Sequence, residues 1–296
     1  MNKRPVLDFD PIFKCIPQLE GLDCNKTRIT KLPGYTNQNF RLVNGAQDWV
    51  LRIPKIETNQ YINRQFEAHN AEIAETLEIA PKCAWRDQSG LSLTLTLNRT
   101  RPITLNDIKR ESIFRQLVKV IRSLHDCNKS FQGQVDLADL LAQYYRLVPA
   151  SQRQLTSGVY EVAQTKIEKL LTRHSRLRPS HNDLVLENIL IDDSDRIWII
   201  DWEYSSMASP YWDLATVCNA MAFDRNQSSD FLKTYQQQGP TGNLELLIDY
   251  RYVLQVLSIC WMAAFTKADI ESQIQSLSKD PGFEASPARG TNRALI

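Results

Sequence analysis

Several things this sequence lacks narrow its class before any motif is read. Neither GxxxxGK[ST] nor GxGxxG occurs in the chain, which excludes a P-loop NTPase and a glycine-triplet nucleotide turn at motif level. The six cysteines form no CxxC pair and no zinc-finger spacing, so reduced thiols in a cytoplasmic protein are expected. Charge of one sign is also missing: 35 basic residues meet 34 acidic ones, which argues against nucleic acid as the main partner. The N-terminal MNKRPVLDFDPIFK has no apolar run suited to a signal peptide. The longest apolar stretch, near Val253 to Phe265, falls short of the roughly 20 residues that cross a bilayer. It is expected to be a buried helix, with no membrane span. Internal repeats and low-complexity blocks are absent.

What is present changes character along the chain. Segments 27–32, 39–43 and 48–53 carry β-branched and aromatic residues between turn signals at Pro33-Gly34 and Asn44-Gly45. Residues 60–77 space Ile62, Phe66, Ile73 and Leu77 as a helix, and LSLTLTL at 91–97 alternates as a half-buried strand. The polar stretch 98–102 reads as a hinge. Beyond it the pattern predicts helices over 104–126, 136–148 and 157–173, then again from 211 to 280. The expected organisation is an N-lobe over 1–98, a hinge at 99–102, a C-lobe over 103–280 and a loose tail over 281–296. This is an α+β, bilobal arrangement with a β-rich first lobe and a mainly helical second.

The helical pattern is interrupted at 179–202 by a loop and two short apolar strands around a DDSD turn, within the segment SHNDLVLENILIDDSDRIWIIDWEYSSMASPYWDLA at 180–215. Asp183 is followed by Asn188 after five residues and by Asp201 after thirteen more. Protein kinases space a catalytic-loop aspartate, an asparagine and a metal-binding aspartate in this order. The chemistry accounts for the residue types. A carboxylate (Asp183) orients the acceptor hydroxyl and takes its proton, while Asn188 and Asp201 offer hard oxygen ligands to magnesium. An Asp-x4-Asn pair by itself is common; the preceding histidine and the strand–turn–strand setting give this one its weight.

The first lobe offers a matching set for ATP. In Pro33-Gly34-Tyr35-Thr36-Asn37-Gln38-Asn39-Phe40, one glycine permits a tight turn, and Thr36, Asn37, Gln38 and Asn39 bring donors for phosphate. In Trp49-Val50-Leu51-Arg52-Ile53, Arg52 stands where kinases carry a phosphate-holding lysine. Glu67 on the following helix is placed to pair with it. Taken alone, each of these is an ordinary turn or an ordinary surface ion pair.

With those residues in view, the chain resembles the choline/ethanolamine kinase family within the wider aminoglycoside-phosphotransferase-like group. The resemblance runs from about Leu32 to Ala215 and more loosely to Phe265. Its most specific parts are His181-Asn182-Asp183-Leu184, Asn188-Ile189-Leu190, Ile200-Asp201-Trp202-Glu203-Tyr204 and Pro210-Tyr211-Trp212-Asp213-Leu214-Ala215. The resemblance implies a protein-kinase-like fold, ATP and magnesium, and transfer of the γ-phosphate to choline. A quaternary ammonium donates no hydrogen bond and needs ring faces instead. Tyr204, Trp212, Tyr250 and Trp261 are the acceptor-binding candidates, with helical core as the plain alternative for each. The chain departs from the family at Ala208, often asparagine, and at Ala220, often glutamate. Thiamine or ethanolamine kinase and aminoglycoside phosphotransferase are the enzymatic alternatives, and a pseudokinase-type binding protein is the non-enzymatic one.

Overall fold

Period-two alternation builds the first sheet. Strands β1 (Arg28–Leu32), β2 (Asn37–Asn44) and β3 (Gln47–Pro54) run antiparallel. Phe40 pairs with Leu51 and Leu42 with Trp49, so all four side chains share one buried face. Phe13 of helix α1 (Asp10–Cys15), with Ile16 and Leu19, packs in the same cluster. The β2–β3 turn holds Gly45 at φ 60°, a left-handed value that glycine adopts without strain. Opposite that face, Asn37 pairs with Pro54 and Asn39 with Arg52.

Helix α2 (Arg64–Thr76) starts at Asn63, whose side chain accepts the N–H groups of Gln65 and Phe66. Strands β4 (Cys83–Arg86) and β5 (Ser92–Leu95) complete a five-stranded sheet of order β1-β2-β3-β5-β4. A short strand β6 (Arg101–Pro102) follows. The single helix expected over 104–126 is two helices, α3 (Leu105–Ile108) and α4 (Glu111–His125). Asp107 explains the break. Its carboxylate closes a capping box with Thr104 and also accepts from Arg101 and Arg110. Arg110 meanwhile takes an extended backbone, where the helix restarts.

The remaining elements are α5 (Leu137–Leu147), α6 (Ala150–Leu171), β7 (Arg178–Ser180), β8 (Ile189–Ile191), β9 (Ile197–Ile199) and β10 (Ser206–Ala208). Then come α7 (Pro210–Ala220), α8 (Arg225–Gln236), α9 (Leu244–Phe265) and α10 (Ile270–Lys279). This computed structural model describes residues 7–34, 36–55, 62–173, 176–236, 242–266 and 269–279; the expected tail over 281–296 and Tyr35 lie outside them.

The chain gathers into two units that interleave in sequence: Met1–Gly133 with Leu186–Met207, and Gln134–Val185 with Ala208–Ile296. The stretch 99–102, expected as a hinge, lies inside the first unit. There Arg101 and Pro102 pair with Ile191 and Leu190, and Ile103 donates to the Ile189 carbonyl at 2.8 Å. Backbone hydrogen bonds thus bring the β8–β9 hairpin into the first unit across some ninety residues of sequence. The second unit is helical around α9. This helix is 22 residues long, and by length and composition alone it could cross a membrane, unlike the shorter run read from sequence. Most of its apolar window is buried: Val253, Val256, Ile259 and Cys260 pack with Leu141 of α5 and with Ala163 and Ile167 of α6.

Candidate active site

The first unit holds an ion-pair network on the sheet face away from the apolar cluster. Arg52 projects there because it alternates with Leu51, whose side chain enters the core. Its guanidinium is paired with Glu67 of α2, and its Nη1 lies 3.8 Å from Asp201 Oδ1. Burial pulls the Arg52 guanidinium down, but Glu67, Asp201 and Glu203 outweigh this and hold it above its ordinary value. Burial likewise pushes the Glu67 carboxyl up, and Arg52 together with Arg64 reverses the sign and holds it below the usual carboxylate range. Arg52 Nε–H is buried and has no partner among the described residues. It is a donor waiting for an acceptor of the kind a phosphate oxygen provides.

Asn188 and Asp201 meet at the open end of the β8–β9 hairpin. The last ladder pair is Ile189 with Ile199, and one step further the Ile200 N–H donates to the Asn188 carbonyl at 3.0 Å. Asp201 follows at φ 66°, a left-handed conformation in which Asp and Asn are over-represented. At the hairpin's closed end, Asp192 accepts from Ser194, Arg196 and the Trp198 indole, which fixes the DDSD turn.

Gly34 lies so close to the start of β2 that it has no room for a side chain. A Cβ there would lie 2.6 Å from the Asn37 carbonyl oxygen and 2.7 Å from Asn39 Nδ2. Asn39 donates to the Pro33 carbonyl at 3.0 Å, and Asn37 donates to Thr36 Oγ1 at 3.1 Å. Asn37 and Asn39 share the Arg52 face of the sheet. Gln38 does not; it alternates to the face of Phe40 and Leu42.

Asp183 belongs to the second unit, in a loop that a single carboxylate organises. Asp213, fully buried in the first turn of α7, accepts the His181 N–H at 2.8 Å and the Asn182 N–H at 2.7 Å. The Trp212 indole donates to the Asn182 carbonyl at 2.9 Å, and Asn182 takes φ 66°. The Asp183 N–H in turn points at His181 Nδ1, 3.3 Å away, which makes that nitrogen the acceptor.

The aromatic candidates divide between the units. Tyr204 lies in the first unit, half-buried. In the second, Trp212 is 5% exposed and its N–H is engaged with the loop just described. Tyr250 stacks on Tyr211 with ring centroids 6.1 Å apart, and Trp261 is tilted against Phe265 at 5.8 Å. Both are half-buried on the α9 core.

Three structurally prominent residues were not among the sequence candidates. Arg64 and Glu203 are buried members of the first-unit network, and Asp213 anchors the Asp183 loop. Each left a trace. Arg64 stands three residues before Glu67 on one helix face, and Glu203 and Asp213 are acids inside otherwise apolar strings.

Residues 28–245 match the family model described as the phosphotransferase enzyme family. Protein LicA of Haemophilus influenzae is 31% identical over 219 residues, which is 71% of this chain and 62% of that protein's length. The crystal structure of choline kinase LicA from Streptococcus pneumoniae superposes with a TM-score of 0.80 at 22% identity, covering 92% of this chain and 98% of that one. A structure of LicA in complex with AMP gives a TM-score of 0.77 at 21% identity, covering 93% and 99%. With a family match across most of its length and the fold of these small-molecule kinases, the chain belongs to the phosphotransferase enzyme family.

Proposed function

We propose that this enzyme transfers the γ-phosphate of ATP to the hydroxyl of a small cationic alcohol, with choline the preferred acceptor. The observation that carries the reading is the Arg52 neighbourhood. A buried guanidinium held by Glu67, its Nε–H without a partner among the described residues, lies 3.8 Å from the carboxylate of the Asp-Trp-Glu motif. Arg52 would hold the α and β phosphates, with Gly34 and the start of β2 beside them. Gly34, Thr36, Asn37 and Asn39 serve that contact. That a LicA structure is in complex with AMP supports nucleotide binding by a chain of this fold.

Magnesium fits the oxygen donors at the hairpin's open end, where Asn188 and Asp201 stand next to each other. Bound by these two, it would neutralise charge on the β and γ phosphates. Asp183 accepts the proton of the acceptor hydroxyl, and the Asp213-anchored loop fixes the aspartate's backbone for that task. Choline as the acceptor is supported by the LicA relatives and by the aromatic surface of α9 around Trp261. Each cation–π contact to a quaternary ammonium contributes about 0.5–2 kcal/mol. The setting in this reading is cytoplasmic, where ATP is abundant and thiols stay reduced.

Two measurements test it. ADP release is screened with choline, ethanolamine, thiamine and an aminoglycoside, with and without magnesium. Choline should give the highest kcat/KM, and only with magnesium present. A higher value with another acceptor moves the assignment to that alcohol, and no release with any of them removes the kinase reading. Trp261→Ala should raise the KM for choline about tenfold with kcat little changed. An unchanged KM places the ammonium elsewhere. Gly34→Ala gives a third check. The added Cβ forces residue 34 away from the start of β2, so ADP affinity measured by calorimetry should fall by about tenfold. Wild-type affinity would mean that this stretch does not touch the nucleotide.

A further inference from the structure

Arg64 joins three segments that each carry a side chain of the proposed site. It is the first residue of α2, and its Nη1 donates to Glu67 Oε2 at 2.8 Å, on the carboxylate that also holds Arg52. The same nitrogen lies 3.4 Å from Glu203 Oε2, two residues beyond Asp201. Its Nη2 donates to Asn37 Oδ1 at 3.3 Å, and Asn37 Nδ2 closes the ring by donating to Glu203 Oε2 at 3.0 Å. The side chains of Arg64, Glu67 and Glu203 are 6%, 3% and 2% exposed, so these charges have almost no water to fall back on. The stem of Arg64 lies against Gly90, where a Cβ would come within 2.7 Å of Arg64 Cδ. Gly90 sits at φ 89°, and the guanidinium reaches its position over that bare backbone.

The geometry points to Arg64 as a positioning residue that sets Asp201 for magnesium by holding Glu203 against Glu67 and Asn37. This rests on the reading of Asp201 as a magnesium ligand. Glu203 is then an anchor for the 201–203 segment, already occupied by Arg64 and Asn37, and the metal falls to Asn188 and Asp201. A planar fork is needed for this task, since one cation must face two carboxylates and an amide oxygen together. Without Arg64, Glu203 would keep the Asn37 hydrogen bond and the more distant attraction of Arg52, and would lose the cation 3.4 Å from its carboxylate. The left-handed Asp201 would then lose the anchor two residues downstream of it.

A double-mutant cycle on the full chain tests the coupling. Arg64→Met, Glu203→Gln and the double variant are compared by calorimetric ADP binding across a magnesium titration, with no acceptor present. Each single change should raise the magnesium concentration for half-maximal binding about tenfold, while ADP affinity without magnesium shifts less than about threefold. The double variant should be no worse than either single one, because both break the same link. Effects that multiply, or an unchanged magnesium midpoint in the singles, overturn the proposal. So does a loss confined to the folded fraction in urea melts. If Arg64→Met does not fold, the same cycle is run with Arg64→Lys, which keeps the cation and loses the fork. A wild-type protein that binds no ADP with magnesium would instead remove the functional reading itself, which keeps the two failures apart.

Discussion

Replacing Asp201 with asparagine is expected to lower turnover by about 10³-fold while leaving the protein folded, and alanine should do the same. Three observations set this expectation. The side chain of Asp201 is 34% exposed, so its removal takes no fully buried charge out of the fold. Arg52 keeps Glu67 when Asp201 is gone, so the ion pair that joins β3 to α2 survives. Asp201 also sits at φ 66°, where alanine costs about 1 kcal/mol that asparagine avoids. The two variants should therefore differ by about that much in stability and hardly at all in activity. Asp183→Ala should cost turnover by about 10²–10⁴-fold through loss of the proton acceptor, with the magnesium requirement of nucleotide binding unchanged. Steady-state kinetics with urea unfolding checks all three variants. Wild-type turnover in either alanine variant would mean that the roles are misassigned.

The second large effect lies away from any substrate contact. Asp213→Ala should destabilise the fold by about 3 kcal/mol and reduce turnover by about 10²-fold. Asp213 is fully buried, and its two oxygens accept two successive backbone N–H groups at 2.8 and 2.7 Å. A hydrogen bond to a charged group contributes about 1.5–3 kcal/mol, and a buried N–H left without an acceptor costs about 1–3 kcal/mol. Asn182 is meanwhile held at φ 66°, a left-handed conformation that asparagine adopts readily and that gives the loop its shape. Without the carboxylate the loop can relax, and the backbone of Asp183 goes with it. Asparagine is the informative control, since it keeps the volume but turns an NH₂ towards one of the two N–H donors. It should lose nearly as much stability as alanine. A midpoint of urea unfolding within about 1 kcal/mol of wild type in Asp213→Ala would show that the loop holds itself.

Local pattern made much of this molecule legible in the sequence, and distance along the chain hid the rest. The strand at 48–53 and the pairing of Arg52 with Glu67 on the next helix were read from local pattern, and the structure has the two residues paired on the sheet face opposite Leu51. Asn188 and Asp201 were readable because the hairpin between them is short and apolar. The break between α3 and α4 escaped the period-3.6 pattern, because its cause is the multiply bonded carboxylate of Asp107 rather than a proline or glycine. The interleaving of the two units also escaped, since β6 pairs with β8 far along the chain. Arg64, Glu203 and Asp213 share one reason for being missed. Their importance lies in burial and in partners 27 to 166 residues away, which composition and spacing do not report. Gln38 shows the converse: it stood inside a suggestive string, yet strand alternation turns it to the opposite face from Asn37 and Asn39.

The most direct measurement is phosphorus NMR of the wild-type protein with ATP, magnesium and choline. A phosphomonoester signal for phosphocholine should grow as the γ-phosphate signal of ATP declines, in equal amounts, and both changes should stop when Asp183 is alanine. Conversion of ATP to ADP and inorganic phosphate at the same rate with and without choline would contradict the proposed transfer to an alcohol.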